Sequence, residues 1–184
     1  FNQRSVDDIL AMIATVGRLV GAEDKALAIV AELQAIIDRV RAEGATLAKK
    51  PRVYFEEWDE PPISGIRWVS EMIALAGGED IFAERALCQS AKERIIADPL
   101  EIVRRAPDII IGSWCGKHFR PERVAARDGW AAVPAVANAQ IHELKSAVIL
   151  NPGPVAIREG LPALLDLFRA WADSGAVAQT GVDR

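Results

Sequence analysis

The feature that most constrains the fold is one long amphipathic segment near the start of the chain. Over residues 23–43, apolar side chains recur at steps of four and three, and the opposite face is charged. The recurring apolar residues are Ala26, Val30, Leu33, Ile37 and Val40. This pattern predicts a helix of about 21 residues and roughly 30 Å. A rod of that length can span a whole domain or join two.

Short apolar runs alternate with helical segments over the rest of the chain. Residues 109–111 are three consecutive isoleucines after a Pro-Asp pair, which is typical of a strand buried on both faces of a parallel sheet. Residues 52–56 predict another strand, and Ser5 with Asp8 predicts a capping box at the start of the first helix. Further helices are expected over 67–76, 98–105, 121–126 and 154–171, and a further strand over 139–144. The alternation predicts an α/β fold built on a parallel sheet.

Two loops follow the predicted strands 52–56 and 109–111, and each contains a tryptophan. In open α/β sheets, ligands bind beyond the carboxyl ends of the strands. Trp58 lies in the first loop, Trp114 lies in the second, and Trp68 follows the first loop closely. Aromatic rings offer a large planar ligand a flat, stiff contact area. We therefore predict that the three tryptophans share one concave face, although each could instead pack at the edge of a core.

Composition and motif spacing argue against several function classes. A net charge of −4 disfavours a dedicated nucleic-acid binder. Cys115 and His118 form a Cys-x-x-His motif, but the chain has no matching second pair to complete a zinc site. The same two residues are the sharpest enzymatic alternative, yet neighbours on one loop rarely form a nucleophile–base pair. We expect no catalytic residue, no metal ligand and no resident cofactor, and we expect Cys88 and Cys115 not to be bonded.

The first loop also carries a cluster of carboxylates. Its members are Glu56, Glu57, Asp59 and Glu60. Such a cluster could serve acid–base chemistry, but it is more often a solvated loop. The remaining tryptophans, Trp130 and Trp171, lie away from both loops in the sequence and are interpreted as packing residues.

Several short motifs follow one another in a fixed order along the chain. They are EWDEPP at 57–62, GIRWV at 65–69, LAGGE at 75–79, APDIIIGSWCG at 106–116, FRPE at 119–122 and ELKSAVILNPGP at 143–154. Together they resemble the cobalamin and iron-chelate branch of the solute-binding proteins of ABC importers. The resemblance extends from Phe1 to about Phe168.

This resemblance implies two α/β lobes joined by one long rigid helix, with the ligand held between the lobes. Residues 1–22 would be a remnant of the amino-terminal lobe, and 23–46 would be the connecting helix. Residues 51–173 would form the carboxyl-terminal α/β lobe, and 174–184 a flexible tail.

The resemblance also implies a function. The chain would belong to a periplasmic or extracytoplasmic component, not an enzyme, whose full-length form could be anchored to the membrane. It would capture cobalamin or a related metal chelate and deliver it to an ABC permease. The alternatives are an iron-siderophore binding protein and a sensor or interaction domain with the same fold. The implied ligand-binding residues are Glu57, Trp58, Pro62, Trp68 and Trp114.

Permease docking is the least regular part of the resemblance. Related proteins often carry a surface glutamate seven residues before the proline of the Pro-Asp pair, but here that position is Leu100. The nearest acid, Glu101, is therefore the candidate docking residue.

The order of the motifs also implies that the first strands of an amino-terminal lobe are missing from this chain. Without them, apolar side chains of the first two helices would lack part of their packing surface. We expect Ile9, Met12, Ile13 and Val16 to be covered by another copy of the chain or left exposed.

Overall fold

The computed structural model describes residues 1–179, with side chains described through residue 174. The helices are α1 (Val6–Leu19), α2 (Glu23–Gly44), α3 (Arg67–Leu75), α4 (Ala83–Ala86), α5 (Leu100–Arg105), α6 (Pro121–Ala125), α7 (Pro134–Ala137), α8 (Ser146–Ile149) and α9 (Leu161–Gln179). The strands are β1 (Arg52–Asp59), β2 (Pro62–Ser64), β3 (Glu79–Asp80), β4 (Ile109–Gly112) and β5 (Ile141–Glu143). Within the described residues, no helix is long and apolar enough to cross a membrane.

The described residues form one five-stranded, mainly parallel sheet, as predicted from the alternation of strands and helices. The order is β2-β1-β4-β5, and β3 pairs with the beginning of β1. Strand β1 is parallel to β3 and β4, and β4 is parallel to β5. Only β2 runs antiparallel, because it folds back on β1 as a hairpin. The carboxyl ends of β1, β4 and β5 consequently meet at one edge of the sheet.

The sheet separates two hydrophobic cores. Side chains alternate along a strand, so Val53 and Phe55 of β1 point into one core while Tyr54 points into the other. The first core is covered by α1, α2, α3 and α9. The second core lies on the opposite face and includes Phe82, Ile102 and Trp130. The three isoleucines of β4 are fully buried between the two cores, as their sequence predicts.

Helix α1 packs closely against α2 and α3. Its predicted capping box is present, with Ser5 and Asp8 each accepting a backbone hydrogen bond from the other. The packing buries Ile9 completely and leaves Ile13 8% exposed. The expected exposure of these two residues is therefore wrong, because α2 and α3 supply the surface they need. Met12 is half-buried and Val16 is 37% exposed.

The carboxyl-terminal helix differs from its prediction in two ways. A π-helical turn over Ala156–Gly160 ends two residues before Pro162, which can donate no backbone hydrogen bond. Helix α9 then continues to Gln179. The flexible tail expected from Ser174 is therefore helical up to Gln179, and the rest of that expected tail lies outside the described residues.

Candidate functional site

A cavity of about 420 Å³ opens where the loops after β1 and β4 meet. Glu56 of β1 lies opposite Gly112, the last residue of β4, and Gly112 lies opposite Glu143, the last residue of β5. The cavity therefore lies at the carboxyl edge of the sheet, where ligands bind in open α/β folds. Its lining residues are Asp59, Glu60, Pro62, Pro99, Trp114, Arg123, Arg127, Asp128 and Trp130.

Trp114 forms one wall of this cavity and is only 4% exposed. Its ring packs edge-on against Phe119, with the ring centroids 4.9 Å apart. Phe119 can approach this closely because position 112 is glycine, where a Cβ would lie 1.8 Å from the Phe119 ring. The loop between β4 and α6 is thereby folded back over the strand end, which fixes the orientation of Trp114.

A buried carboxylate holds this wall in place. Glu56 is fully buried and accepts hydrogen bonds from Trp114 Nε1 and Tyr54 Oη, each at 2.9 Å. Arg127 donates to both of its oxygens, at 2.6 and 2.9 Å. A charge in this position is tolerated because it is paired and fully hydrogen-bonded. Burial alone would lower the pKa of Arg127, but Glu56 raises it. Trp114 and Arg127 are therefore held as a rigid pair.

Trp58 lies beside the cavity but does not line it. Its indole is half-buried and donates to the Glu60 carbonyl at 3.0 Å. The ammonium of Lys117 lies 4.1 Å from the centroid of its ring and 2.7 Å from Asp59 Oδ1. In this structure, Lys117 thus covers the ring of the tryptophan that the sequence assigns to the ligand.

Glu57 is engaged within the hairpin. It forms a bidentate ion pair with Arg94, at 2.7 and 3.0 Å, and Arg94 is only 2% exposed. Arg94 also donates to the Ser64 carbonyl of β2. The predicted ligand role of Glu57 is not supported by this geometry, because its carboxylate is paired with Arg94, which in turn is hydrogen-bonded to β2 of the β1–β2 hairpin.

Trp68 lies on the opposite face of the sheet from Trp114. It is 5% exposed, belongs to the core under α2 and α9, and donates to the Ile149 carbonyl at 2.9 Å. The predicted shared face is therefore wrong for Trp68 and Trp114. The physical reason is that Trp68 lies in the first turn of α3 and points inward with the apolar face of that helix.

The candidate docking residue Glu101 is half-buried at the start of α5. Its carboxylate accepts from Arg85 at 2.9 Å and from Arg105 at 2.6 Å. Both interactions are internal, so this carboxylate is already neutralised in the chain. Docking through Glu101 would require exchanging these arginines for those of a partner.

The Cys-x-x-His motif is exposed in the loop after β4. Cys115 and Cys88 are both free cysteines. Within the described residues, Cys115 and His118 make no hydrogen bond to each other, and no group of three or more potential metal ligands is present.

Sequence reasoning missed most of the cavity lining. Pro62 and Trp114 were expected to contact the ligand and do line the cavity. Arg127 and Asp128, which follow α6, also line it, but no local sequence pattern indicates that they reach the cavity. Trp130 is 1% exposed, as expected for a packing residue, yet it also lines the cavity. Glu56 could have been identified from alternation along β1, because it lies two residues after the inward-facing Tyr54.

The described residues combine a ligand-sized pocket at the carboxyl edge of a mainly parallel sheet with a long helix packed on one face of that sheet, which is the architecture of one lobe of a solute-binding protein. The chain belongs to the periplasmic binding protein family, whose model matches residues 1–148. This family consists of solute-binding proteins rather than enzymes and functions outside the cytoplasm, as the sequence motifs implied. No curated protein matches the chain in sequence.

Solved structures of similar fold agree with this assignment. The periplasmic heme-binding protein RhuT from Roseiflexus sp. RS-1 is 21% identical, with a TM-score of 0.77 over 93% of this chain and 65% of that one. A possible iron-binding protein from Staphylococcus epidermidis is 24% identical, with a TM-score of 0.76 over 90% and 63%. IsdE from S. aureus, complexed with heme, is 19% identical, with a TM-score of 0.70 over 90% and 65%. The chain therefore spans slightly less than two thirds of each of these proteins.

Proposed function

We propose that this chain is the ligand-binding part of an extracytoplasmic component of an ABC importer, which captures a metal chelate and delivers it to a permease. The observation that carries the proposal is the cavity at the carboxyl edge of the sheet. Its wall is rigid because Glu56 fixes both Trp114 and Arg127. Preorganised walls of this kind reduce the entropic cost of binding.

A metal chelate is the favoured ligand class for two reasons. The ordered motifs resemble the cobalamin and iron-chelate branch, and structures of similar fold are described as binding heme or iron. The cavity also combines the exposed edges of Trp114 and Trp130 and the ring of Pro62 with five charged side chains, which suits a large ligand that carries both apolar surface and polar groups. Cobalamin is the first ligand to test, and a ferric siderophore is the second.

The ligand contacts that we propose are Trp114 and Pro62, with Trp58 contributing once Lys117 moves from its ring. Trp68 and Glu57 would support these residues without touching the ligand. Permease docking through Glu101 remains a prediction.

The proposal can be tested by titrating the chain with cyanocobalamin, a ferric trihydroxamate and hemin while following tryptophan fluorescence. We expect saturable binding of at least one chelate. The substitution Asp128→Trp places a bulky ring at the exposed rim of the cavity and should weaken that binding at least tenfold. The matched control Asp166→Trp alters an exposed aspartate of α9 on the other face of the sheet and should leave the affinity unchanged. Absence of binding to all three chelates, or equal effects of the two substitutions, would contradict the proposal.

A further inference from the structure

We infer that the pocket selects metal chelates without net negative charge over anionic ones. This inference rests on the proposed function and specifies its ligand class. The supporting observation is that some charged side chains around the cavity form ion pairs with one another. Only the unpaired side chains can interact freely with a ligand.

Arg127, which lines the cavity, and Lys117, which lies beside it, are already paired with carboxylates. Arg127 makes two hydrogen bonds to the fully buried Glu56. Lys117 lies 2.7 Å from Asp59, whose side chain is only 5% exposed. An anionic ligand would have to compete with these buried carboxylates for either cation. Neither Arg127 nor Lys117 is therefore free to form an ion pair with an acidic group of the ligand.

The charges left over favour the opposite sign. Glu60, Asp128 and Arg123 line the cavity and are exposed, and none of them has an ion-pair partner among the described side chains. Two free carboxylates thus face one free guanidinium. Among the lining residues, three carboxylates (Asp59, Glu60 and Asp128) are present with two guanidinium groups (Arg123 and Arg127), which gives 2 − 3 = −1. The neighbouring Glu56 and Lys117 cancel each other in this count.

This balance acts on a ligand through ordinary electrostatics. At a separation of about 8 Å and a high effective dielectric, one carboxylate weakens the binding of one negative charge by roughly two- to sixfold. The penalty grows with each further negative charge on the ligand. The small exposed parts of the Trp114 and Trp130 rings, in contrast, impose no such cost on an uncharged ligand surface. Cyanocobalamin and ferric trihydroxamates carry no net charge, whereas heme carries two carboxylates and a ferric triscatecholate carries three negative charges.

The test is a competition measurement of the affinity of the chain for two kinds of chelate. The neutral chelates are a ferric trihydroxamate and cyanocobalamin, and the anionic ones are hemin and a ferric triscatecholate. We expect the better neutral chelate to bind at least about eightfold more tightly than the ferric triscatecholate, and at least about twofold more tightly than hemin, whose ferric iron offsets one of its two carboxylates. The double variant Glu60→Gln/Asp128→Asn should reduce this ratio at least fivefold for the triscatecholate, because removing the two carboxylates favours the anionic chelate more than the neutral one. Both side chains are exposed, so the substitutions leave the core intact.

The control Asp166→Asn removes an exposed carboxylate from α9 and should leave the ratio unchanged. Equal affinity of the unaltered chain for neutral and anionic chelates would overturn the inference while supporting the proposed function. An unchanged ratio in the double variant would also overturn it. If no chelate of either kind binds, the proposed function fails, and the inference fails with it.

Discussion

At the scale of single residues, Glu56 determines the geometry of the pocket. Three side chains from different parts of the chain converge on its carboxylate, namely Tyr54, Trp114 and Arg127. Burial, followed by the neighbouring Glu56 charge, raises the pKa of Tyr54 well above its usual value, so the phenol stays protonated and donates to the carboxylate. The whole arrangement depends on this one acid.

We predict that Glu56→Gln lowers the free energy of unfolding by about 3 kcal/mol. This is the lower end of the range for a broken buried ion pair, because Arg127 loses its counter-charge but keeps some contact with solvent. Urea denaturation measures the effect. The control Asp38→Asn breaks an ion pair between two exposed side chains and should cost less than about 1 kcal/mol. Similar losses in the two variants would show that the Glu56 network is not structurally important.

Two tryptophans assigned to the ligand from sequence should respond differently to truncation. Trp68→Ala removes a core side chain and should cost about 3–5 kcal/mol of unfolding free energy. Trp58→Ala removes a half-buried ring and should cost clearly less, but it should weaken chelate binding by about 1–3 kcal/mol. Urea denaturation combined with ligand titration distinguishes the two roles. A large loss of stability for Trp58→Ala with no change in affinity would contradict this assignment.

At the scale of elements, local sequence patterns identified most of the helices and strands. The period of α2, the isoleucine run of β4 and the capping box of α1 are all local signals, and each predicted element is present. The β1–β2 hairpin was missed, because the strand continues through the acidic residues that were interpreted as a loop. Two features depend instead on which elements pack together: the face of the sheet on which Trp68 is buried, and the position of Arg127 in the cavity wall. No local pattern carries that information.

The packing of α1 on α2 provides a test at this scale. A Cβ at Gly17 would lie 2.2 Å from the Cβ of Ala26, so the two helices can approach closely only with glycine at this position. Gly17→Ala should therefore separate the helices and reduce the free energy of unfolding by about 1–3 kcal/mol. Gly153 has open space around its Cβ position, which makes Gly153→Ala the matched control. Thermal or urea denaturation measures the stability of both variants. Equal stability of the two variants would contradict the close packing.

At the scale of the whole molecule, a group of exposed apolar side chains lies around the turn between α1 and α2. Leu19 and Val20 are 74% and 69% exposed, and Leu27 is 50% exposed. Self-association was expected from the sequence on the basis of other residues of α1, and it stays a prediction. We expect sedimentation velocity to show concentration-dependent association that Leu19→Gln/Leu27→Gln reduces. Leu87→Gln, at an exposed leucine elsewhere, should leave the association unchanged. A monomer at all concentrations would contradict the prediction.

Binding of a metal chelate in the cavity at the carboxyl edge of the sheet should protect the surrounding backbone from exchange with solvent. Hydrogen–deuterium exchange, with and without saturating cyanocobalamin or ferric trihydroxamate, locates the binding surface on the chain. We predict slower exchange in two segments, the β1–β2 hairpin around residues 57–64 and the stretch 113–130 that carries Trp114 and Arg127. Protection confined to α1 and α2, or no protection with either chelate, would contradict this prediction.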